Sequence, residues 1–187
     1  NIYQITTACL LKNAFKEEHS CLSLERFWDE AIETATICSK LTTIESVNVN
    51  PADAYALGLF HDCGIAAMSL KYADYEAVLD QANSSITLEL DQIEEQKYAT
   101  SHTKVGYAIA KSWSVPDEIC EIIAGHHEAE LLSSLETKEQ MDLAALLFVA
   151  QNIVGHRHNN QNLPMWIKVK PAVLDALAMS EKDYNKY

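Results

Sequence analysis

An adjacent histidine and aspartate stand inside the apolar run Leu57-Gly58-Leu59-Phe60-His61-Asp62-Cys63-Gly64-Ile65-Ala66. Taking an imidazole and a carboxylate out of water costs several kcal/mol unless each finds a partner. Whatever fold the chain adopts must therefore bring polar groups to this point from elsewhere in the sequence. The chemically suited ones are His102, His126 and His127, in segments with helical spacing. Imidazole and carboxylate together suit Zn, Mn, Fe or Ni, and a helical bundle can supply them from several helices. Three outcomes are open. The side chains converge on one divalent transition metal (Fe, Mn, Zn or Ni), they form an empty polar pocket in which His61 and Asp62 are a hydrogen-bonded buried pair with His102 or His126 as a satisfied core histidine, or they do not converge at all.

With five glycines and four prolines in 187 residues, and without the long β-branched alternations that mark strands, the pattern is all-α. Apolar spacing predicts a helix from Asn1 to Phe15, through Ile2, Ile5, Cys9, Leu10 and Ala14. A second runs from Ser23 to about Thr43 with Phe27, Ala31, Thr34, Ala35, Cys38 and Leu41 on one face. Asn50-Pro51, an N-cap followed by proline at the first helical position, opens a helix predicted to continue through His61 and Asp62 to about Tyr72. Gly58 and Gly64 weaken it by up to about 1 kcal/mol each relative to Ala, a cost that makes sense where a close neighbour or a bend must be admitted.

Asp74 to Ala82 and Thr87 to Tyr98 read as helices, the second presenting Glu89, Asp91, Glu94 and Glu95 as a solvated acidic face. Thr100-Ser101 caps a helix carrying His102, Val105, Gly106, Ile109 and Trp113. Val115-Pro116-Asp117-Glu118 begins one that ends near Gly125-His126-His127. Leu131 to Lys138 reads as a polar loop, Glu139 to about Gly155 as the most apolar and central helix, and His156 to Asn162 as loop again. Pro171 to Met179 makes a last short helix before a start signal at Ser180-Glu181-Lys182-Asp183. His19, His156 and His158 are expected on surface loops, and Trp28, Trp113 and Trp166 as packing aromatics. No internal repeat or linker divides the chain, so residues 1–187 read as one helical domain. A start without Met or a clear N-cap makes it the expected C-terminal portion of a longer protein, with upstream residues absent.

Lys and Arg number 14 against 27 Asp and Glu, a formal charge of −13. That field repels polyanions at long range and argues against direct nucleic-acid binding, although a bound divalent metal inverts the sign locally and leaves room for a small phosphorylated ligand. No apolar stretch approaches the length of a bilayer span, and no basic-plus-apolar leader is present. The five cysteines, Cys9, Cys21, Cys38, Cys63 and Cys120, form no C-x-x-C pair. They read as reduced, mostly core residues of a cytoplasmic protein, with Cys63 beside the His-Asp pair as the alternative reactive thiol.

Gly58-Leu59-Phe60-His61-Asp62-Cys63-Gly64 resembles the signature of the HD superfamily of metal-dependent phosphohydrolases. Ser101-His102-Thr103-Lys104-Val105-Gly106, Trp113-Ser114-Val115-Pro116-Asp117-Glu118-Ile119 and Gly125-His126-His127 follow in the order of its HDOD branch, the HD-related output domain of bacterial signalling proteins. The similarity spans roughly Leu24 to Val154. It implies an HD-type all-α helical bundle in a bacterial regulatory protein. In catalytic relatives, two metals held by histidines and aspartates activate a water for attack on a phosphoester. Carried over by matching position, His61, Asp62, His102, His126 and His127 are the implied ligands, with Asp62 as the natural bridge.

Three positions depart from that pattern. Glu30, in Phe27-Trp28-Asp29-Glu30-Ala31, stands where the family's first metal histidine lies, and Glu can still bind a metal. Gln151, in Phe148-Val149-Ala150-Gln151-Asn152, stands where the last aspartate lies, and a neutral amide is a poor ligand for a transition metal. Ile65 replaces the lysine that often follows the signature. The resemblance thus implies a non-hydrolytic domain acting through a signalling partner protein or domain, or sensing a ligand such as a nucleotide. The alternatives are a metal-dependent phosphohydrolase of nucleotides or cyclic dinucleotides, with His61 and Asp62 as candidate catalytic residues, and a helical scaffold with no ligand.

Overall fold

The computed structural model describes residues 2–15, 20, 22–85, 89–159 and 162–186. Among them every regular element is helical and no strand occurs, as the pattern predicted. The expectations for His19, Cys21, Thr87, Asn160 and Gln161, and for the side chains of Ile2 and Ile5, fall outside the described residues. The helices are α1 (Ile2–Ala14), α2 (Leu24–Leu41), α3 (Pro51–Phe60), α4 (Cys63–Lys71), α5 (Tyr75–Ser84) and α6 (Leu90–Tyr98). They continue as α7 (His102–Ser112), α8 (Asp117–Gly125), α9 (Leu131–Ser134), α10 (Lys138–Asn159), α11 (Pro164–Ala176) and α12 (Glu181–Tyr184).

The starts follow local capping chemistry. Ser23, Asn50, Ser101 and Ser180 each accept a backbone N–H of the first turn through the side chain, satisfying donors that a helix start leaves orphaned. At the centre lies α10, whose Leu143 to Ala150 are all at 3% exposure or less and pack against α2, α3, α8 and α11. A helix apolar all round belongs inside, with other helices on every side. A second, smaller core gathers Met68, Tyr75, Val78 and Ile93 between α4, α5 and α6, with Tyr72 stacked on Tyr98 at 4.0 Å beside it.

The helix expected from Pro51 to Tyr72 is broken in two. α3 stops at Phe60, His61 and Asp62 form a turn, and α4 restarts at Cys63. The break lets two neighbours come close. A Cβ on Gly58 would sit 2.6 Å from the Ala35 Cα of α2, and one on Gly64 only 1.9 Å from the His102 carbonyl oxygen of α7. Glycine at these positions is what lets α3 lie on α2 and α4 lie on α7.

Other boundaries differ from the sequence reading for identifiable reasons. His156, Arg157 and His158 continue α10 instead of forming a loop, because Glu33 of α2 accepts from Arg157 at 2.7 Å and lies 3.2 Å from His158 Nε2. α11 begins at Pro164, well before Pro171, which it carries in its interior. Trp166, Val169 and Val173 bury one face, and that packing tolerates the hydrogen bond the proline removes. The supposed loop after Leu131 contains α9, whose Leu131 and Leu132 are buried. Trp28 and Trp166 pack in the core as expected, and Trp113, 37% exposed, packs on Phe60 with ring centroids 5.8 Å apart. Cys38, Cys63 and Cys120 are buried and Cys9 is exposed. Cys63 is fully buried with its Sγ 3.8 Å from the Gly106 carbonyl oxygen, and burial pushes its thiol well up, the setting of a structural core cysteine.

Candidate metal centre

Three segments deliver the site. The α3–α4 turn carries His61 and Asp62, the first residue of α7 is His102, and α8 ends immediately before His126 and His127. The close α4–α7 contact at Gly64 sets the backbone of His102 beside the turn that holds Asp62. Asp62 Oδ1 lies 3.1 Å from His126 Nε2 and 3.8 Å from His102 Nε2, and Asp62 Oδ2 lies 3.0 Å from His61 Nε2. His127 Nε2 is 3.0 Å from His102 Nε2. One ligand atom from each of Asp62, His102, His126 and His127 falls within 4.8 Å of the others, a grouping able to hold a metal ion.

The outer nitrogens fix the tautomers of three imidazoles. His61 Nδ1 is 2.8 Å from the Gly58 carbonyl and His126 Nδ1 is 2.8 Å from the Ile123 carbonyl. A carbonyl only accepts, so each Nδ1 donates and, in the neutral ring, each Nε2 turns a bare lone pair inward. His102 Nδ1 is 2.7 Å from the Glu94 carboxylate, which places the proton on the same nitrogen.

Electrostatics reinforce this arrangement. Burial lowers the pKa of His126, outweighing the hydrogen bond and charge of Asp62. His127 is driven well below the ordinary value, first by burial and then by the positive charge of His126 and His102 when they are protonated. Burial also pulls on His61, but the Asp62 charge, its hydrogen bond and the Gly58 carbonyl together leave it raised. Asp62, despite burial, is held well below the carboxylate range by His61 and His126.

Of the residues predicted from sequence, His61, Asp62, His102, His126 and His127 come together, with His61 on the far oxygen of Asp62 from the group of four. Glu30 does not join them. It pairs with Arg26 at 3.0 Å and faces His158 Nδ1 at 3.9 Å. Glu30 and Gln151 instead line a cleft of about 280 Å³ together with His61, Asp62, Phe27, Ile65 and Leu163.

Glu94 was missed. Assigned to a solvated acidic face, it is fully buried on α6, where it accepts from the His102 backbone N–H at 2.8 Å and from the Tyr75 hydroxyl. The signal was positional. Leu90, Ile93, Glu94 and Tyr98 recur at the i, i+3, i+4, i+8 spacing of one helix face, so Glu94 occupies a slot in the apolar stripe.

A family model described as HDOD domain matches residues 1–129. Among solved structures, an HDOD domain protein of unknown function from Geobacter sulfurreducens superposes with a TM-score of 0.70 at 22% identity, covering 98% of this chain and 63% of that one. The MmoQ response regulator of Methylococcus capsulatus superposes at 0.65 with 18% identity, over 88% of this chain and 61% of its own. An uncharacterized protein of Treponema pallidum is 21% identical over 103 residues, which is 55% of this chain and 20% of that protein. The chain therefore spans about a fifth of that relative's length and somewhat under two thirds of the Geobacter protein's.

Proposed function

The chain belongs to the HDOD family, and from that membership we propose that it is a bacterial signal-transduction domain that binds one divalent transition metal and acts on a partner protein or domain without efficient hydrolysis. One contact carries the metal assignment. His126 Nε2 and Asp62 Oδ1 face each other at 3.1 Å while Nδ1 of that ring is committed as a donor to the Ile123 carbonyl, so in the neutral ring Nε2 presents a lone pair to a carboxylate oxygen. In that neutral tautomer the two acceptors repel unless a cation lies among them. The donor set fits one ion: His102, His126 and His127 offer nitrogens and Asp62 a carboxylate oxygen, with His61 holding the other Asp62 oxygen. Fe, Mn, Zn and Ni all accept such a set. A divalent ion there supplies Lewis acidity and a fixed positive charge.

The regulatory reading rests on the cleft side. A hydrolytic two-metal site clamps both the attacking and leaving oxygens between ions about 3.5–4 Å apart. The positions that would complete a second ion here are Glu30, already engaged by Arg26, and Gln151, a neutral amide. A structural neighbour of the same fold, whose name marks it as a response regulator, supports the same direction. The competing reading, a phosphohydrolase of nucleotides or cyclic dinucleotides, draws on the opening of that cleft onto His61 and Asp62.

Elemental analysis of chain purified without chelator, paired with hydrolysis assays on nucleotides and cyclic dinucleotides, separates them. One equivalent of metal and no turnover are expected. Turnover of a cyclic dinucleotide with added Mn or Fe at the roughly 1–10³ s⁻¹ typical of enzymes, abolished by His61→Ala, would replace the signalling reading with the hydrolase. Absence of any bound metal, with none taken up on titration, would remove the metal assignment. The double variant Glu30→His, Gln151→Asp is expected to take up a second equivalent.

A further inference from the structure

Glu94 is a carboxylate with no solvent exposure, in a helix that otherwise packs the small core. An unpaired charge there would be strongly destabilising, and three donors answer it. Its Oε2 accepts from the His102 backbone N–H at 2.8 Å and from His102 Nδ1 at 2.7 Å, and its Oε1 accepts from Tyr75 of α5. Tyr75 is itself fully buried, and burial followed by the Glu94 charge keeps its hydroxyl protonated as a donor.

Three of the imidazoles around Asp62 differ in what holds them from behind. His61 and His126 lean on the backbone carbonyls of Gly58 and Ile123, three residues earlier in each case, so their orientation comes from their own turn. His102 leans on a side chain from another helix. It sits at the first residue of α7, where no preceding helical carbonyl is available to hold it. A carboxylate behind an imidazole fixes the tautomer and raises the basicity of the opposite nitrogen, which a neutral carbonyl does less strongly.

We propose that Glu94 is the positioning residue of the metal centre: held by Tyr75, it locks His102 with Nδ1 protonated and Nε2 turned towards His127 and Asp62. The proposal rests on the metal reading above. Its reach is specific, because the Glu94 carboxylate stands behind His102 while His61 and His126 rest on their own carbonyls.

The test is Co²⁺ titration of the whole chain by calorimetry and by the cobalt absorption band, in wild type, Glu94→Ala, Glu94→Gln and Val78→Ala. Glu94→Ala is expected to weaken Co²⁺ binding about 10–100-fold, the range for losing an outer partner of a ligating histidine. Glu94→Gln is expected to recover part of that loss, since its amide oxygen still accepts from His102 Nδ1 and the Tyr75 hydroxyl can turn to accept from the amide nitrogen. Val78→Ala cuts into the same small core without touching Glu94, and is expected to lower the unfolding temperature with Co²⁺ affinity unchanged. Wild-type affinity in Glu94→Ala, or an equal loss in Val78→Ala, overturns the proposal by making the effect absent or merely one of packing.

A metal-free readout stands apart from the metal reading. Long-range ¹H–¹⁵N spectra of the His102 ring are expected to show a single Nδ1-protonated tautomer in wild type and a mixture in Glu94→Ala. If wild type takes up no Co²⁺, the proposed function fails, and the role of Glu94 is decided by this tautomer alone. An unchanged His102 tautomer in Glu94→Ala, or in Glu94→Gln should the alanine variant not fold, overturns it.

Discussion

Asp62 stands between two unlike neighbourhoods. On the α7–α8 side, His102, His126 and His127 turn ring nitrogens towards the same small volume, and the outer nitrogens of His102 and His126 are already occupied by Glu94 and Ile123. On the α2–α10 side, Glu30 is turned to Arg26 and His158, and Gln151 offers only an amide. Both sides contain polar groups near one carboxylate. What separates them is where the polar atoms point: inward, onto one another within a small volume, on the histidine side, and outward to Arg26 and His158 on the cleft side. The capacity to hold a cation follows where the donor atoms point rather than the count of suitable residue types.

The largest expected difference comes from deleting one group on each side. Asp62→Ala removes the only carboxylate of the four-residue group. Metal affinity is expected to fall by more than about 100-fold, beyond what an outer partner alone costs. Gln151→Ala is expected to leave it within about twofold, as for independent sites. Calorimetric titration of both variants with Zn²⁺ or Mn²⁺ decides. Equal losses would mean that the cleft side contributes to the same ion.

A smaller effect is expected from acid. His126 and His127 have pKa values below that of a free imidazole, so the unfolded chain takes up protons near pH 6.5 that the folded chain refuses. Stability of the metal-free protein is therefore lost as pH falls below about 6.5 and stops falling only beneath the folded values. His61 works in the opposite sense, because its raised value adds stability as pH falls, and Asp62 matters only in more acidic solution, below the ordinary carboxylate value near 3.9. With two lowered histidines against one raised, thermal unfolding with chelator present is expected at lower temperature at pH 5 than at pH 8. His127→Gln should flatten the slope. Gln151→Glu, on the other side, should not. A profile flat over that interval would show that the histidines are not buried neutral.

Much of this was readable beforehand, and the exceptions have a common cause. The helices with clear caps, at Ser23, Asn50, Ser101 and Ser180, start where their chemistry says, and the convergence on Asp62 follows from the impossibility of burying a His-Asp pair alone. The failures lie where a distant partner overrides local preference. His156 to His158 are polar enough for a loop, yet Glu33 on another helix holds them in α10. Glu94 carries the composition of a solvated face, and only the contact with His102 and Tyr75 makes its burial tolerable. The break after Phe60 was masked because a run that is apolar throughout gives no periodic signal of a turn. Its cause, the approach of the His102 backbone to Gly64, lies on a helix some forty residues away.

The smallest expected effect tests whether the two sides are independent. Arg157 and His158, on the last turn of α10, clasp Glu33 of α2 behind the cleft, and the Arg157 hydrogen bond is the first of the influences that lower the Glu33 pKa. The side chains of Arg157 and Glu33 are 55% and 32% exposed, so solvent screens the pair and such pairs contribute roughly 0.2–1 kcal/mol. A lowered carboxylate contributes stability above its unfolded value, near pH 4.3, and loses it as pH falls through the folded one. Arg157→Ala should therefore lower the urea midpoint slightly at pH 7 and by less at pH 3. Because the clasp joins α2 to α10 and touches none of Asp62, His102, His126 or His127, metal affinity should stay within about twofold of wild type. A tenfold loss would show that the angle between α2 and α10 sets the histidine side as well, and the cleft would then be a lever on the metal centre rather than a neighbour of it.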